Sequence, residues 1–499
     1  MSTLRHAQGK SQKKKFYITT TLPYVNAEPH IGFALEIIQA DVIARYHQQQ
    51  GYDVFFNTGT DEHGLKVFRK AREENLEAQV YCDICAKKYE SLKQVLNLSY
   101  NSFIRTTDPH HIKAAQEFWR RCNQSGDIYK KDYKIKYCVG CELEKTESEL
   151  VKGRCPIHPE EKPEIIQEKN YFFRYSKYQD KLLELYQKNP QFILPESRLN
   201  EIKEFTKQGL KDFSISRLKE KMPWGIPVAG DDKHVMSVWF DALVNYISSL
   251  GWPDNLKKFN DFWPGIQVAG KDNLRQQSSM WQAMLMSTGL PTSKQIFIHG
   301  FITVGGQKMS KSLGNVIDPF ELVKKYGSTS SPQVGTDAVR YFLLREIPPT
   351  EDGDFTYEKF ENRYNSDLAA GLGNLVARVI TMAEKINSKF EIRNSKQIPN
   401  SKLQTVIDKT WKTYHKTLDE FKFNETLIAI WDLISFCDRY IEKERPWEKS
   451  ENQQSKISNL QFAISNIAEM LKPFLPETSE KILRQIKVKK PEILFPRLK

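Results

Sequence analysis

The chain has 499 residues and is basic, with 74 lysines and arginines against 62 acidic residues and a formal net charge of +12. This length is sufficient for about three domains with a sizeable core, and the charge favours a polyanionic partner. The sequence has no run near the ~20 apolar residues that cross a bilayer and no apolar signal-peptide core, so it excludes a membrane-embedded protein and predicts a cytoplasmic one.

The first residues predict a tail, a strand and a helix. Residues 1–15 contain basic side chains and no acid, so we expect a disordered tail. Residues 16–22 are aromatic and β-branched and predict a buried strand, which the following prolines end. From 34 to 47 apolar residues recur every three to four positions, as in a helix. His30 and Gly32 would therefore lie at a helix entrance, where free N–H groups bind anions.

Cysteine spacing in the middle of the chain predicts a metal site. The ligands would be Cys138, Cys141, Cys155 and His158. They form two chelating pairs on short knuckles, and four protein ligands close the coordination shell, so we predict a structural zinc ion rather than a catalytic one. A second Cys-x2-Cys pair, Cys82 and Cys85, lies in a segment of helical periodicity, and we interpret both as helix residues.

A glycine-flanked loop carries Lys308 and Lys311 in the run Lys-Met-Ser-Lys-Ser. Two lysines on such a loop can hold polyphosphate, although the pattern alone also fits a solvated surface loop. The chain contains neither a Gly-x4-Gly-Lys-Ser/Thr phosphate loop nor a Gly-x-Gly-x-x-Gly turn after a strand, which argues against the corresponding nucleotide-binding folds.

The strand, the run His30-Ile31-Gly32-Phe33 and the lysine loop together resemble the class I aminoacyl-tRNA synthetases. Several segments resemble the methionyl-tRNA synthetase family nearly residue by residue, namely residues 21–26, 58–64 and 238–243 and the cysteine knuckle. The likeness extends over about residues 16–496. The chain departs from the family at Phe33 and Gln277, where the family carries histidines.

The resemblance implies an α/β fold in which a Rossmann-like parallel-sheet catalytic domain is split by a zinc-knuckle insertion and followed by an all-α anticodon-binding helical bundle. We expect the tail in 1–15, the catalytic domain in 16–120 and 236–300, the connective insertion in 121–235, the lysine loop with a stem-contact connecting domain in 301–360, and the helical anticodon-binding domain in 361–499.

A methionine site needs an anion for the substrate ammonium group, and aromatic and aliphatic walls for the thioether. The resemblance implies that Asp61 pairs with the amino group. It implies that the remaining methionine-binding residues are Leu22, Tyr24, Trp239, Ala242, Tyr246 and Gln277. Aromatic residues in apolar segments are also common core residues, so each of these roles has a purely structural alternative.

Attack of the methionine carboxylate on the α-phosphate of ATP requires alignment and neutralisation of charge rather than a protein nucleophile. The resemblance implies that His30, Lys308 and Lys311 serve catalysis and that Mg²⁺ accompanies ATP. The implied ATP-binding residues are His30, Gly32, Asp272, His299, Gly300, Ile302, Lys308 and Lys311.

The last third of the chain has helical periodicity throughout. Asn374 and Arg378 are spaced to share a helix face, and Trp447 follows a proline. The resemblance implies that these three residues read the anticodon by hydrogen bonds and stacking. The expected partners are tRNA(Met), ATP and L-methionine, and we expect a monomer.

Two other classes of protein fit parts of the pattern. A non-catalytic tRNA-binding relative would accommodate Phe33 and Gln277, but it gives no physical reason to combine His30, Asp61 and the lysine loop. A zinc-dependent RNA enzyme would need an open metal position, whereas the four-ligand knuckle is saturated.

Overall fold

The computed structural model describes residues 13–145, 147–160, 162–309, 313–327, 333–386 and 401–498. Lys311 of the lysine loop and residues 1–12 of the predicted tail lie outside the described residues.

A parallel six-stranded sheet forms the centre of the first half of the chain. In spatial order its strands are Ser102–Arg105, Asp53–Thr60, Lys15–Thr20, Ile266–Gly270, Gln295–His299 and Ile193–Leu194. The strand Lys15–Thr20 pairs in parallel with strands on both sides. The strand order reverses beside it, and the carboxyl ends of the two central strands therefore leave a crevice of the kind in which open α/β sheets bind ligands.

The first helix, Ile31–Gln49, packs on this sheet, and His30 and Gly32 lie at its entrance, as predicted. Its first residue follows His30, which has an extended backbone and whose Nδ1 accepts a hydrogen bond from the N–H of Gly32. A side-chain cap rather than apolar periodicity therefore sets the helix start.

The insertion is built on a long antiparallel ribbon of two strands, Ile128–Cys138 and Glu164–Phe173. The shorter strands are Leu143–Lys145, Phe213–Ser214, Ser216–Leu218, Pro227–Val228 and Asp231–Met236. The insertion also supplies Ile193–Leu194, which pairs with Gln295–His299 at the edge of the central sheet. Its position relative to the sheet is thereby fixed by backbone hydrogen bonds.

Helices surround the sheet and insertion. The α-helices there are Leu65–Glu73, Ala78–Val95, Pro109–Gln124, Gln179–Lys188, Glu196–Lys207, Val238–Ala242, Asn245–Ser248, Leu256–Phe262 and Trp281–Thr288. Cys82 and Cys85 lie in the helix Ala78–Val95, as predicted. The described part of the connecting region has three strands and three helices, namely Ile302–Val304, Gln307–Lys308, Gly353–Phe355, Pro319–Tyr326, Gln333–Arg345 and Tyr357–Arg363.

The described part of the C-terminal third is helical, as predicted. After a π-helical segment, Tyr364–Gly373, come the helices Asn374–Lys385, Ser401–Asp419, Phe423–Glu444, Gln453–Leu471 and Pro476–Val488. Their apolar faces are buried against one another and belong to the same core as the first helix and its side of the central sheet. A parallel-sheet domain with a cysteine-rich insertion and a helical C-terminal domain confirms the predicted fold class.

A buried ion pair joins the sheet domain to the helical bundle. Arg340, on the helix Gln333–Arg345, lies 2.8 Å from Asp41 of the first helix, and neither side chain is exposed to solvent. The guanidinium also donates to the carbonyl oxygens of Pro473 and Phe474, at 2.8 Å each, in the turn before the last helix. Burial alone would raise the pKa of Asp41, but the charges of Arg45 and Arg340 outweigh it and hold that pKa below its ordinary value.

Within the described ranges, no helix has both the length and the apolarity that crossing a membrane requires.

Replacing Arg340 by methionine should destabilise the protein by about 3–5 kcal/mol, because the buried carboxylate and carbonyl groups lose their donor. Thermal unfolding followed by circular dichroism measures the effect. Arg484→Met is the control, since its pair with Glu492 is exposed to solvent and should contribute at most about 1 kcal/mol. Equal shifts of the two unfolding midpoints would contradict the role of the buried pair.

Candidate active site

A cavity of about 530 Å³ opens at the carboxyl ends of the central strands. It brings together ten of the residues predicted to bind methionine or ATP, which are Leu22, Tyr24, His30, Asp61, Trp239, Ala242, Tyr246, Asp272, Gln277 and Lys308. These residues come from distant parts of the chain, yet the parallel sheet places the ends of their elements at one edge. The other predicted ATP-binding residues that the structure describes, Gly32, His299, Gly300 and Ile302, lie beside this cavity rather than on its wall.

Four residues that line this cavity have a buried polar atom without a hydrogen-bond partner, namely Tyr24, Asp61, Arg275 and Gln276. Two of these atoms, the Asp61 Oδ1 atom and the Tyr24 hydroxyl, belong to residues that pair in a β-bridge. Burial raises the pKa of the Asp61 carboxyl well above its ordinary value, and the nearby carboxylates of Asp241 and Glu142 raise it further. A cation that entered here would reverse that effect, because an adjacent positive charge favours the carboxylate form. The cavity therefore contains a site that is complementary to a small cationic group.

Aromatic rings form the wall next to Asp61. The rings of Tyr24 and Trp239 lie 6.4 Å apart at an angle of 77°, and Tyr246 is 2% exposed. The indole Nε1 of Trp239 donates to the carbonyl oxygen of Cys141, at 3.2 Å, in the cysteine knuckle. Trp239 thus connects the cavity directly to the insertion.

His30 occupies the entrance of the first helix. Its Nδ1 accepts from Gly32 N at 3.1 Å, and burial lowers the pKa of its imidazole below the ordinary value. The ring is therefore neutral at pH 7 with its proton on Nε2, which leaves one N–H donor for a ligand. A Cβ atom at position 32 would lie 2.9 Å from this ring. Glycine at 32 thus makes room for the histidine itself, whereas Phe33 packs edge-on against Tyr89.

The buried carboxylate of Glu36, which the sequence analysis did not single out, connects three elements beside the cavity. It accepts hydrogen bonds from both the N–H and the hydroxyl of Thr21, at 2.7 and 2.6 Å, and it lies 2.9 Å from His299 Nε2. Burial lowers the pKa of His299, but the hydrogen bond and charge of Glu36 outweigh this and raise it above 6.5. The available signal for this role was an acidic residue directly between two apolar ones, Leu35 and Ile37, in the predicted helix.

Gly300 and Asp272 shape the same edge of the sheet. A Cβ atom at Gly300 would lie 2.1 Å from the backbone of Glu351, so only glycine allows this close approach. Asp272 lies in a short turn, Lys271–Asn273, directly after a central strand, and burial raises the pKa of its carboxyl. Ile302 is buried in a strand that pairs with Gly353–Phe355.

A second set of buried polar groups, also missed from the sequence, supports the aromatic wall from behind. Asp241, next to Ala242, contacts His63 Nδ1 at 2.8 Å and His111 Nε2 at 3.0 Å. Burial would raise the pKa of Asp241, but the two imidazoles together lower it below the ordinary value. These contacts hold the helix Val238–Ala242 against the segment that carries Asp61.

The four predicted metal ligands come together, with all four ligand atoms within 4.8 Å of one another. Cys141 Sγ lies 3.5 Å from Cys155 Sγ and 3.3 Å from His158 Nδ1. A tetrahedral zinc ion with sulfur ligands at about 2.3 Å would require sulfur atoms about 3.8 Å apart, so the donor set fits such an ion. Hydrogen bonding to Cys141, followed by His158, lowers the pKa of Cys138 to about 3, which favours the thiolate that a metal binds.

The predicted anticodon residues lie in the helical domain. Asn374 is exposed at the start of the helix Asn374–Lys385, and Arg378 follows one turn later. The guanidinium of Arg378 contacts Glu442 at 2.6 Å, near the end of the helix that precedes Trp447. The indole of Trp447 is 48% exposed, which is unusual for a residue of this type and leaves a face free for stacking.

Comparisons with known proteins agree with this geometry. The family description "tRNA synthetases class I (M)" matches residues 16–163 and 157–380. The description "Anticodon-binding domain of tRNA ligase" matches residues 400–497. The fold and the site together therefore define a class I aminoacyl-tRNA synthetase, an ATP-dependent ligase, as the sequence predicted.

Comparison with individual relatives identifies the family within this class. The methionine–tRNA ligase of Thermotoga maritima is 43% identical over 482 residues, 95% of this chain and 75% of that protein. That of Brucella suis is 40% identical over 480 residues, 94% of this chain and 91% of that protein. The methionyl-tRNA synthetase of Mycobacterium tuberculosis in complex with methionyl-adenylate superimposes with a TM-score of 0.88 at 35% identity, over 97% and 99% of the two chains. The chain belongs to the methionyl-tRNA synthetase family, and the resemblance found in the sequence is confirmed.

Glu36→Gln should change the pH dependence of stability. The raised pKa of His299 means that the Glu36–His299 pair stabilises the folded state fully below pH 6.5, and that this stabilisation is lost as pH rises through the raised value. Melting temperatures of wild type and variant, measured between pH 6 and 9, should therefore differ most at the acidic end and converge toward the alkaline end. Parallel curves would show that the pair does not titrate as inferred.

Proposed function

We propose that the cavity around Asp61 and His30 is the place where methionine and ATP react. As a member of the methionyl-tRNA synthetase family, the chain is a methionine–tRNA ligase, which activates methionine with ATP to methionyl adenylate and transfers the methionyl group to tRNA. The assignment of particular residues to these steps is the proposal.

The observation that carries the proposal is the pair of unpartnered buried atoms, Asp61 Oδ1 and the Tyr24 hydroxyl. Leaving buried polar groups unsatisfied costs free energy unless a ligand restores their partners. The ammonium group of methionine supplies both charge and donors for Asp61. The side chain then lies among Leu22, Trp239, Ala242, Tyr246 and Gln277.

ATP occupies the part of the cavity next to the first helix. The Nε2–H of His30 donates to the phosphates at the helix entrance, where free backbone N–H groups and the positive end of the helix dipole also favour an anion. Lys308 lies on the cavity wall, and we assign it and Lys311 to the β- and γ-phosphates, where charge develops in the transition state. Mg²⁺ neutralises the phosphate charge when ATP is bound.

The nucleoside part of ATP extends toward the sheet edge formed by Asp272, His299, Gly300 and Ile302. The buried carboxyl of Asp272 suits the ribose hydroxyls. Gly32 has no Cβ atom and therefore leaves space for the His30 imidazole beside its backbone. Because the protein holds the reacting groups in place and offsets their charge, the reaction needs no nucleophile from the chain.

tRNA(Met) is the proposed macromolecular partner. The exposed indole of Trp447 provides a stacking face. Asn374 and Arg378 lie on a neighbouring helix, and Arg378 contacts Glu442 on the helix that precedes Trp447. Unstacked anticodon bases are recognised by this combination of aromatic stacking and polar side chains. The excess of basic residues over acidic ones favours the phosphate backbone of the RNA.

Zinc is the metal that we assign to Cys138, Cys141, Cys155 and His158. The hydrogen bond from Trp239 to the Cys141 carbonyl makes the knuckle part of the wall of the methionine pocket. The ion would therefore hold the wall in place and take no part in the chemistry, because the protein supplies all four ligands.

The test of the proposal is amino-acid-dependent exchange of labelled pyrophosphate into ATP, with each of the twenty amino acids and without tRNA. Exchange is expected with methionine alone. Asp61→Asn should lower kcat/KM for methionine by about 100-fold, because it removes a buried charge-assisted contact, while the KM for ATP stays unchanged.

Asp53→Asn is the matched control, since Asp53 is partly exposed and pairs with Lys15 away from the cavity. It should leave exchange unaffected. Normal methionine kinetics in Asp61→Asn would remove Asp61 from the ammonium site, and exchange with a different amino acid would overturn the pocket assignment.

Metal content should depend on the knuckle and not on the other cysteine pair. Wild type should contain one zinc ion per chain, Cys155→Ser should lose it together with thermal stability, and Cys85→Ser should retain it, because Cys85 lies in a helix without further ligands. Atomic emission and thermal unfolding measure the two properties. Loss of zinc from Cys85→Ser alone would contradict the assignment.

Trp447→Ala should raise the KM for tRNA by about 10- to 100-fold, which corresponds to the loss of one stacked base, while pyrophosphate exchange is unchanged. Ile428→Ala, at another exposed apolar residue of the bundle, is the control and should leave charging intact. A Trp447 variant that is equally defective in both steps would point to a structural defect instead of lost anticodon contact.

A further inference from the structure

Gln277 belongs to a buried group of polar side chains behind the methionine pocket. The members are Gln267, Gln277, Gln282 and Ser293, which are at most 4% exposed. They come from a central strand, a π-helical turn, the helix Trp281–Thr288 and the loop before the next strand. Four polar side chains in such a position need a complete set of mutual hydrogen bonds.

The backbone determines the direction of these bonds. The N–H of Ser293, which can only donate, lies 3.0 Å from Gln282 Oε1. The amide nitrogen of Gln282 therefore faces the other way and donates to the backbone carbonyl of Gln277 at 2.8 Å, a group that can only accept. With both ends held by backbone groups, the Gln282 amide has one permitted orientation.

The remaining hydrogen bonds of the group fix the direction of the Gln277 amide, which lines the pocket. The Gln282 nitrogen also donates to Ser293 Oγ at 3.1 Å. The Ser293 hydroxyl in turn donates to Gln267 Oε1 at 2.6 Å, a distance typical of an O–H···O bond. The nitrogen of Gln267 then faces Gln277 and donates to its Oε1 at 3.2 Å. Reversing any amide would set donor against donor or acceptor against acceptor. The NH₂ group of Gln277 is thus directed away from Gln267.

Gln277 lines the cavity together with Tyr246. Because its Oε1 faces Gln267, its NH₂ group is the end of the amide that can donate a hydrogen bond to a ligand in the cavity. A thioether sulfur is a weak acceptor for such a donor, whereas a methylene group in its place accepts nothing.

We propose that Gln267, Ser293 and Gln282 are positioning residues, which orient the Gln277 amide so that the pocket presents a hydrogen-bond donor to the substrate side chain. This donor favours methionine over norleucine, in which a methylene replaces the sulfur, because norleucine leaves a buried donor unsatisfied. The inference rests on the proposed placement of the methionine side chain against Tyr246 and Gln277.

The test compares kcat/KM for methionine and norleucine in pyrophosphate exchange. Gln267→Met removes the donor that holds Gln277 while keeping similar volume. The methionine-to-norleucine ratio should fall about 10-fold, through a higher KM for methionine, with the KM for ATP unchanged. Gln485→Met is the matched control, because Gln485 is equally buried but lies in the last helix. It should leave the ratio unchanged.

An unchanged ratio in folded Gln267→Met would overturn the inference, as would a parallel change in the KM for ATP. If Gln267→Met does not fold, Ser293→Ala removes only one hydroxyl from the chain of bonds and should lower the same ratio by a smaller factor. An unchanged ratio there would also overturn the inference.

Gln277→Met separates the inference from the proposed function. If the KM for methionine is unchanged in that variant, the placement of the side chain is wrong. If Gln277→Met lowers the ratio and Gln267→Met does not, only the positioning role fails.

Discussion

The buried ion pair between Asp41 and Arg340 is the constraint on which the arrangement of the whole chain depends. Removing two charges from water is costly, and the cost is offset here only because each partner is fully hydrogen bonded. Arg340 reaches a carboxylate on the first helix and two carbonyl groups in the turn before the last helix. The orientation of the bundle relative to the sheet is thereby specified, and with it the position of Trp447 relative to the cavity that contains His30.

Buried, hydrogen-bonded carboxylates also connect the elements that form the site. Glu36 joins the end of the first strand to His299, and Asp241 joins His63 to His111. In both cases a buried carboxylate that is saturated with donors fixes the backbone of the cavity wall. Asp61 is the exception. It is surrounded by other acids and one of its oxygens has no partner, so it is the carboxylate that a cationic substrate can stabilise.

Most of the methionine- and ATP-binding residues that the sequence predicted line the cavity, because they lie directly after strands or in segments that resemble a known family. The sequence did not predict Glu36 or His111, since the partners of a buried polar residue come from parts of the chain that periodicity does not connect. It did place His30 at the entrance of the first helix, but only the structure shows that the imidazole caps the helix by accepting from Gly32 N.

The sequence alone determined the fold class, the family and the cluster of three cysteines and one histidine in the knuckle, because these depend on local spacing and on short motifs. Only the tertiary structure decided which polar groups meet. The direction of the Gln277 amide depends on a chain of bonds through Gln267, Ser293 and Gln282, which packing of a helix and two neighbouring parallel strands brings together. No property of residue 277 or its neighbours contains that information, because a hydrogen bond acts only between groups that the fold has already placed within about 3 Å of each other.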